Sequence, residues 1–479
     1  FIFIPILIYV FFKANKKQKS FFFVYGALIL VLAFGFKLGD LAVYRMDEGW
    51  AHYLDYNEKR AFLTDYGWPD YYNNTQKFEE LGISIVDYEN FLTWDFGDRD
   101  LFDLETLEAL IEIKSGEETS GLLSRFFMAF IPGFLKYTFA GFLFLAIAYL
   151  MVHGDGKRKY IGICTIIMFL MVELILVYRG RYLLYRMDIS ATLALVVICF
   201  YLAATEKAYI YTKRSDWLFL AATCIMALVV SKDVVSDIME NRQMVENNSE
   251  INQLLRADDS NLYMVSTSSG GVCVTNIWEA VAEGDYANIF RLGGWLTESP
   301  IFHEQMEKEG IENLYSAMIR EENVYCVDKT NYGYKLAYLR ENYDANVDMI
   351  LVKNIHGTLI WKAVTEDLQV DLNNYADGTQ ILEYDTSISI QEDEIQVEGT
   401  VYEPDTDSFK QKVYVVICDG VTGEQKAYYA TQIVNEAIGD KTNGRYGAFY
   451  TQIDGGYTGE EQIYILLENE NGYYYIECE

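Results

Sequence analysis

The chain has 479 residues and a formal net charge of −32, from 70 acidic and 38 basic side chains. That length predicts two or three domains, and so acidic a surface excludes nucleic acid as a partner, because a phosphate backbone needs a basic face. Seven cysteines with no CxxC spacing and four dispersed histidines predict neither a disulfide framework nor a metal site, and no cofactor is expected.

Near-continuous apolar runs occupy residues 1–12, 21–39, 133–153, 160–178, 184–204 and 216–232. A hydrocarbon core of ~30 Å is crossed by roughly 20 helical residues, so these runs predict about six spans. Lysines follow the first run instead of preceding it, unlike a secretory signal. The chain is therefore expected to be truncated at its amino-terminal side, inside a span.

Charge then predicts orientation. Lys13, Lys16, Lys17 and Lys19 form one basic loop, Lys157, Arg158 and Lys159 a second, and Lys207 to Arg214 a third, while 40–118 and everything beyond Lys232 are acidic. Basic loops stay on the cytoplasmic side. The expectation is a multi-pass protein of a bacterial plasma membrane with most of its mass outside.

The first outer loop carries helix signals. Ser84-Ile85-Val86-Asp87 is a capping-box pattern, and Leu104 to Ile113 has apolar residues at helical spacing after Asp103, a candidate N-cap. A helical cap over 40–121 is expected, with a short interfacial helix at Leu122–Ile131 and a bend at Pro132. The membrane bundle is 122–232, after spans and a basic loop in 1–39. A polar helix at 233–255 leads out of the bilayer.

From 233 to 367 strands alternate with helices. Asn261–Ser266, Asn323–Asp328 and Val347–Val352 read as strands and Lys335–Tyr343 as a helix, which implies an α/β layer. From 368 to 479 short β-rich runs recur at Ile388–Glu394, Gln396–Tyr402, Lys412–Cys418, Lys426–Thr431, Ala448–Ile453, Gln462–Glu468 and Tyr473–Ile476. That spacing predicts an immunoglobulin-like β-sandwich. Cys418 and Cys478 would pair only if their strands adjoin.

The short loop Tyr178–Asp188 breaks the charge rule, with Arg179, Arg181 and Arg186 on the outer side. A guanidinium is always charged and its planar fork matches phosphate. The same three arginines would also serve as headgroup anchors or as partners for the acidic cap. Glu173 lies about 8 Å before Tyr178 along a helix. A carboxylate at that depth faces a bundle interior or a cavity, and pairs with arginine or orients a substrate.

The segment Arg179-Gly180-Arg181-Tyr182-Leu183-Leu184 resembles the outer-face segment of multi-span glycosyltransferases of the GT-C type. The resemblance implies a polyprenyl-phosphate sugar donor outside the cytoplasm, with arginines at the membrane surface on the lipid phosphate. In that family the catalytic acid sits in the first outer loop, so the catalytic residue here is unknown. A broader likeness of Tyr53–Arg60, Leu81–Ser84 and Leu292–Trp295 to bacterial envelope membrane proteins implies location only.

The other candidates have plain alternatives. Asp47, Glu48, Asp55 and Glu58 are candidate general bases, but Asp55, Glu58 and the nearby Arg60 also read as an ordinary solvated helix face. Asp98-Arg99-Asp100 has the form of a metal-binding DxD, set aside because nucleotide sugars are cytoplasmic. Ser266–Gly271 reads as an anion nest or as a tight turn. Trp295 reads as core or as a sugar platform, and the strand tyrosines Tyr473, Tyr474 and Tyr475 suit either carbohydrate stacking or simple β-propensity. The expected function is sugar transfer from a polyprenyl-phosphate lipid to an envelope acceptor. The alternative is a non-enzymatic, membrane-anchored glycan-binding or assembly protein. The expected partners are membrane lipid, lipid-linked sugar and envelope glycan; oligomeric state is left open.

Overall fold

The computed structural model describes residues 4–117, 139–178, 185–204, 214–269, 286–330, 332–391, 394–435, 443–454 and 461–478, with a few isolated positions between them. The chain forms two compact units, one of residues 1–77 and 104–242, the other of 78–103 and 243–479. The inserted segment 78–103, part of the helical cap in the sequence reading, packs within the second unit.

The amino-terminal half is helical: α1 (Ile4–Lys13), α2 (Lys16–Met46), α3 (Glu48–Tyr66), α4 (Thr75–Glu80), α5 (Ile85–Leu92), α6 (Leu104–Ser115), α7 (Phe139–His153), α8 (Gly156–Tyr178), α9 (Tyr185–Ala203) and the 44-residue α10 (Arg214–Ala257). Three of these, α2, α8 and α10, are long and apolar enough to cross a membrane, and α1, α7 and α9 are shorter apolar helices. No residue of α2 is buried within the chain, although its middle is apolar all round. Such a helix needs an apolar solvent. Pro132 and most of 122–131 lie outside the described residues.

Local chemistry sets these helix ends. Asn15 and Gln18 form a capping box at the start of α2, and Ser84 and Asp87 form the expected one on α5. Arg158, in a basic turn, donates to the carbonyls of Leu202 (3.4 Å) and Ala204 (2.5 Å) at the end of α9, where the helix dipole favours a cation. A side chain at Gly162 would put its Cβ 2.3 Å from Leu150, so glycine lets α7 and α8 approach. Leu143, Phe169, Val177 and Leu195 from α7, α8 and α9 share one apolar cluster.

The carboxy-terminal region is rich in strands. They are β1 (Leu262–Val265), β2 (Ile289–Arg291), β3 (Val324–Val327), β4 (Asp348–Ile355), β5 (Thr358–Val364), β6 (Ala376–Asp377), β7 (Glu383–Gln391), β8 (Glu394–Tyr402), β9 (Lys412–Cys418), β10 (Gln425–Tyr429), β11 (Thr431–Ile433), β12 (Ala448–Asp454), β13 (Gln462–Asn469) and β14 (Gly472–Cys478). Helices α11 (Pro300–Lys308), α12 (Leu314–Arg320) and α13 (Tyr332–Asn342) intervene. One sheet has nine strands in the order β2-β1-β3-β5-β4-β11-β12-β8-β7; the other has five, β10-β9-β13-β14-β6. Strand β1 pairs in parallel with β2 and β3.

The larger sheet joins strands from before and after residue 367, because β11 pairs in parallel with β4. The hairpin β4–β5 turns at His356 (φ 51°) and Gly357 (φ 78°), the two consecutive positive φ values that match strand twist. Alternate residues put Ile395, Val397 and Val401 of β8 in one core with Val413 and Val415 of β9 and Ile463, Ile465 and Leu467 of β13. Cys418 and Cys478 are free thiols, with β13 lying between their strands.

Lys353 on β4 is buried where β4 meets β11. Its Nζ donates to the Gln411 carbonyl (3.1 Å) and Gln432 Oε1 (2.5 Å). Burial pushes its pKa down to about 7, against the pull of Asp258 and Asp407. Above pH 7 the folded amine is neutral, while the unfolded one stays charged to about pH 10.4. The unfolded chain then binds more protons, so stability rises with pH across that window. Thermal midpoints of the full chain are expected to climb from pH 6.5 to 9, and Lys353→Met should flatten the climb; an unchanged slope would remove Lys353 as its source.

Candidate functional site

Buried charged groups include Glu173 in the first unit and Asp95, Asp328 and Lys335 in the second. In the first unit the buried face of α8 is Gly162, Thr165, Phe169, Glu173 and Val177, a spacing of three and then four that defines one side of a helix. Glu173 is only 4 % exposed and lies one turn from Phe169 and one from Val177, both in the apolar cluster shared with α7 and α9. A carboxylate so placed faces the helix bundle. Arg179 and Arg181 lie outside the described residues. Arg186 belongs to the first turn of α9.

The acidic residues of α3 are taken up by local structure. Asp47 Oδ1 accepts from Trp50 N–H as the N-cap of α3 (2.9 Å). Asp55 holds Arg45 through two bonds of 2.7 and 2.9 Å, and the guanidinium beside it lowers its pKa. Arg60 does not share a solvated face with Glu58, as the sequence suggested. It is buried with Tyr56 and Leu63 on the side of α3 that packs against α6, and burial lowers its pKa.

In the second unit the site is built at the carboxyl ends of β1 and β3. Strand β1 lies between β2 and β3, so the chain reverses its winding beside β1. In open α/β sheets that crevice is where ligands bind. Here the chain's own Asp95 reaches that position. After α5 the chain passes through Trp94, in the left-handed region at φ 68°, and presents Asp95.

The Asp95 carboxylate accepts from Thr267 N–H (2.8 Å) and Ser266 Oγ (2.8 Å) and lies 2.6 Å from Lys335 Nζ. The Lys335 ammonium also binds Asp328 and donates to Ser266 Oγ (3.0 Å). Asp328 in turn accepts from Ser268 Oγ (3.0 Å) and Thr330 N–H (2.9 Å). Asp95, Asp328 and Lys335 are fully buried. The turn after β1 thus holds an anion, and that anion is the chain's own Asp95.

The close approach depends on glycine. A Cβ on Gly293 would stand 1.8 Å from the Trp94 carbonyl oxygen, and one on Gly97 would stand 2.8 Å from that of Leu292. Three residues on, Asp98 accepts from Tyr338 OH (2.6 Å), Tyr343 OH (2.5 Å) and Asn313 Nδ2 (2.9 Å). The DxD pattern is thereby spent on packing. Burial, reinforced by the Asp98 charge, raises the pKa of Tyr338 and Tyr343, so both remain donors.

This chemistry is a clamp. Burial alone would lower the Lys335 pKa, but Asp95 and Asp328 outweigh it and the net shift is upward; the ammonium therefore serves neither as base nor as nucleophile. Burial raises the Cys326 thiol, which keeps it inert. Among the described residues no group of three or more His, Cys, Asp or Glu side chains is placed to hold a metal ion. Trp295 is exposed rather than core.

Lys335→Met should cost about 3–5 kcal/mol, because it leaves two buried carboxylates without their cation. Thermal unfolding of the full chain is the measurement. Adding Asp95→Asn should recover part of the loss; a Lys335→Met chain as stable as the parent would show that the clamp contributes nothing.

In comparisons with known proteins, no family model matches the chain, and no curated protein or solved structure matches it.

Proposed function

We propose that this chain is a multi-span protein of a bacterial plasma membrane that transfers a sugar from a polyprenyl-phosphate lipid to an envelope acceptor, in the manner of GT-C glycosyltransferases. The observation that carries the reading is Glu173. It is a carboxylate on the buried face of an apolar helix long enough to span a bilayer, and such residues mark substrate paths by default. The same helix leads directly into Arg179 and Arg181, and α9 opens with Arg186.

In this reading the three arginines bind the lipid phosphate at the outer surface, and Glu173 orients them or the substrate. The basic turns carrying Lys13–Lys19 and Lys157–Lys159 face the cytoplasm. The α/β layer and an immunoglobulin-like sandwich stand outside and present the acceptor. No residue is assigned as the catalytic base.

A second reading is an anchored glycan-binding protein without catalysis. It is favoured by a groove of about 420 Å³ in the second unit, lined by Asn261, Asn323, Lys410, Lys412, Asn469 and Tyr473 among others. The Tyr473 ring is 57 % exposed, and a ring beside amides and ammonium groups suits a sugar.

The test uses full-length chain in lipid nanodiscs with a panel of polyprenyl-phosphate hexoses. Transfer or release of sugar is expected from the parent chain and should fall at least about 100-fold in Arg181→Ala/Arg186→Ala, a factor worth about 2.7 kcal/mol, with membrane insertion retained. Undiminished turnover in that variant removes the arginines from the reaction. No turnover by the parent, together with oligosaccharide binding that Tyr473→Ala abolishes, would replace the first reading with the second.

A further inference from the structure

Among the described residues, β7 is a long edge strand with no neighbour on its outer side. It pairs with β8 over all nine residues, Glu383↔Tyr402 to Gln391↔Glu394, without a register shift. Its other side ends the nine-stranded sheet. Edges of this kind are normally protected by lysine, proline, a bulge or brevity. Strand β7 reads Glu-Tyr-Asp-Thr-Ser-Ile-Ser-Ile-Gln, with no lysine, proline or bulge, and its charges are confined to Glu383 and Asp385 in its first three residues. The opposite edge, β2, is three residues long, and the edges of the smaller sheet have five and two.

Its inner face is also incompletely covered. Tyr384, Ile388 and Ile390 stand opposite Val401, Val397 and Ile395, all buried in the core between the sheets. Ile388 packs against that core, yet Tyr384 is 42 % exposed and Ile390 47 % exposed. The core side of the sheet therefore reaches its edge with apolar side chains still in contact with solvent.

We propose that β7 pairs antiparallel with β7 of a second copy of this chain, about a two-fold axis through Ser387. The strand is complementary to itself. Its two acids, Glu383 and Asp385, lie in its first three residues, so the antiparallel register sets each opposite an uncharged position. A parallel copy would align acid with acid, which is unfavourable. The Glu383 carboxylate is moreover turned back to accept from Tyr402 OH of its own sheet.

On the inner face the same register places Tyr384 opposite Ile390 of the other copy and Thr386 opposite its Ile388. Aromatic and β-branched cross-strand pairs are the favourable kind. Such a pair is isologous, closes on itself and covers both exposed edges at once.

The axis makes a sharp prediction. Directly opposed residues in an antiparallel pair have Cα atoms about 4.5–5.5 Å apart, within disulfide range. In full-length chain oxidised in nanodiscs, Ser387→Cys should form at least about fivefold more covalent dimer than the parent. Ser389→Cys alone should match the parent, because residue 389 falls opposite 385. Mixed Asp385→Cys and Ser389→Cys chains should cross-link to each other.

Three outcomes would overturn the proposal. One is a Ser387→Cys chain that cross-links no more than the parent while keeping the parent's thermal midpoint. Another is Ser389→Cys cross-linking to itself as well as Ser387→Cys does. The third is capture of a different protein by Ser387→Cys in native membranes, which would assign the edge to that partner.

Discussion

The buried ammonium of Lys335 ties four stretches of the second unit to one another. Lys335 comes from α13, its counter-ions come from the loop after α5 and from the end of β3, and the serine that completes the set ends β1. Four stretches of chain meet at one nitrogen. Two carboxylates in an apolar interior are tolerable only around a cation with satisfied hydrogen bonds. The positions of the loop, the parallel strands and α13 are therefore coupled, and glycines at 97 and 293 exist because that coupling brings two backbones into contact.

Among the described residues, the clamp occupies the carboxyl ends of β1 and β3. A fold that usually presents backbone N–H groups to a ligand here presents Thr267 N–H to Asp95. Specificity of structure has been gained where other α/β sheets place a site.

Much of this was legible locally. Strand β9 coincides with the β-rich run from Lys412 to Cys418, and the Ser84 box starts α5. What sequence reading missed is non-local. Asp95 bonds a lysine 240 positions away, and nothing in Thr93–Asp98 signals it. Residues 426–431 looked like one strand, but at Ala430 the chain leaves the five-stranded sheet for the nine-stranded one, dividing β10 from β11. Strand β5 escaped notice because its run from Thr358 to Val364 is buried almost throughout and lacks a period of two. Arg60 was misjudged because charge suggested solvent, whereas its helix face is set by Tyr56 and Leu63 on either side.

The inserted segment has a consequence for how the molecule comes into being. Residues 78–103 emerge from the ribosome long before the strands they join, since synthesis runs from the amino terminus. Until residues 266, 267 and 335 are made, Asp95 lacks its hydroxyl, backbone and ammonium partners, and Asp98 waits for Asn313, Tyr338 and Tyr343. Closing a loop of that size is slow compared with local helix formation. The second unit is thus a late product of translation that cannot mature from its own contiguous stretch, and a fragment beginning at Gln243 would be born without one of the two acids its central lysine requires.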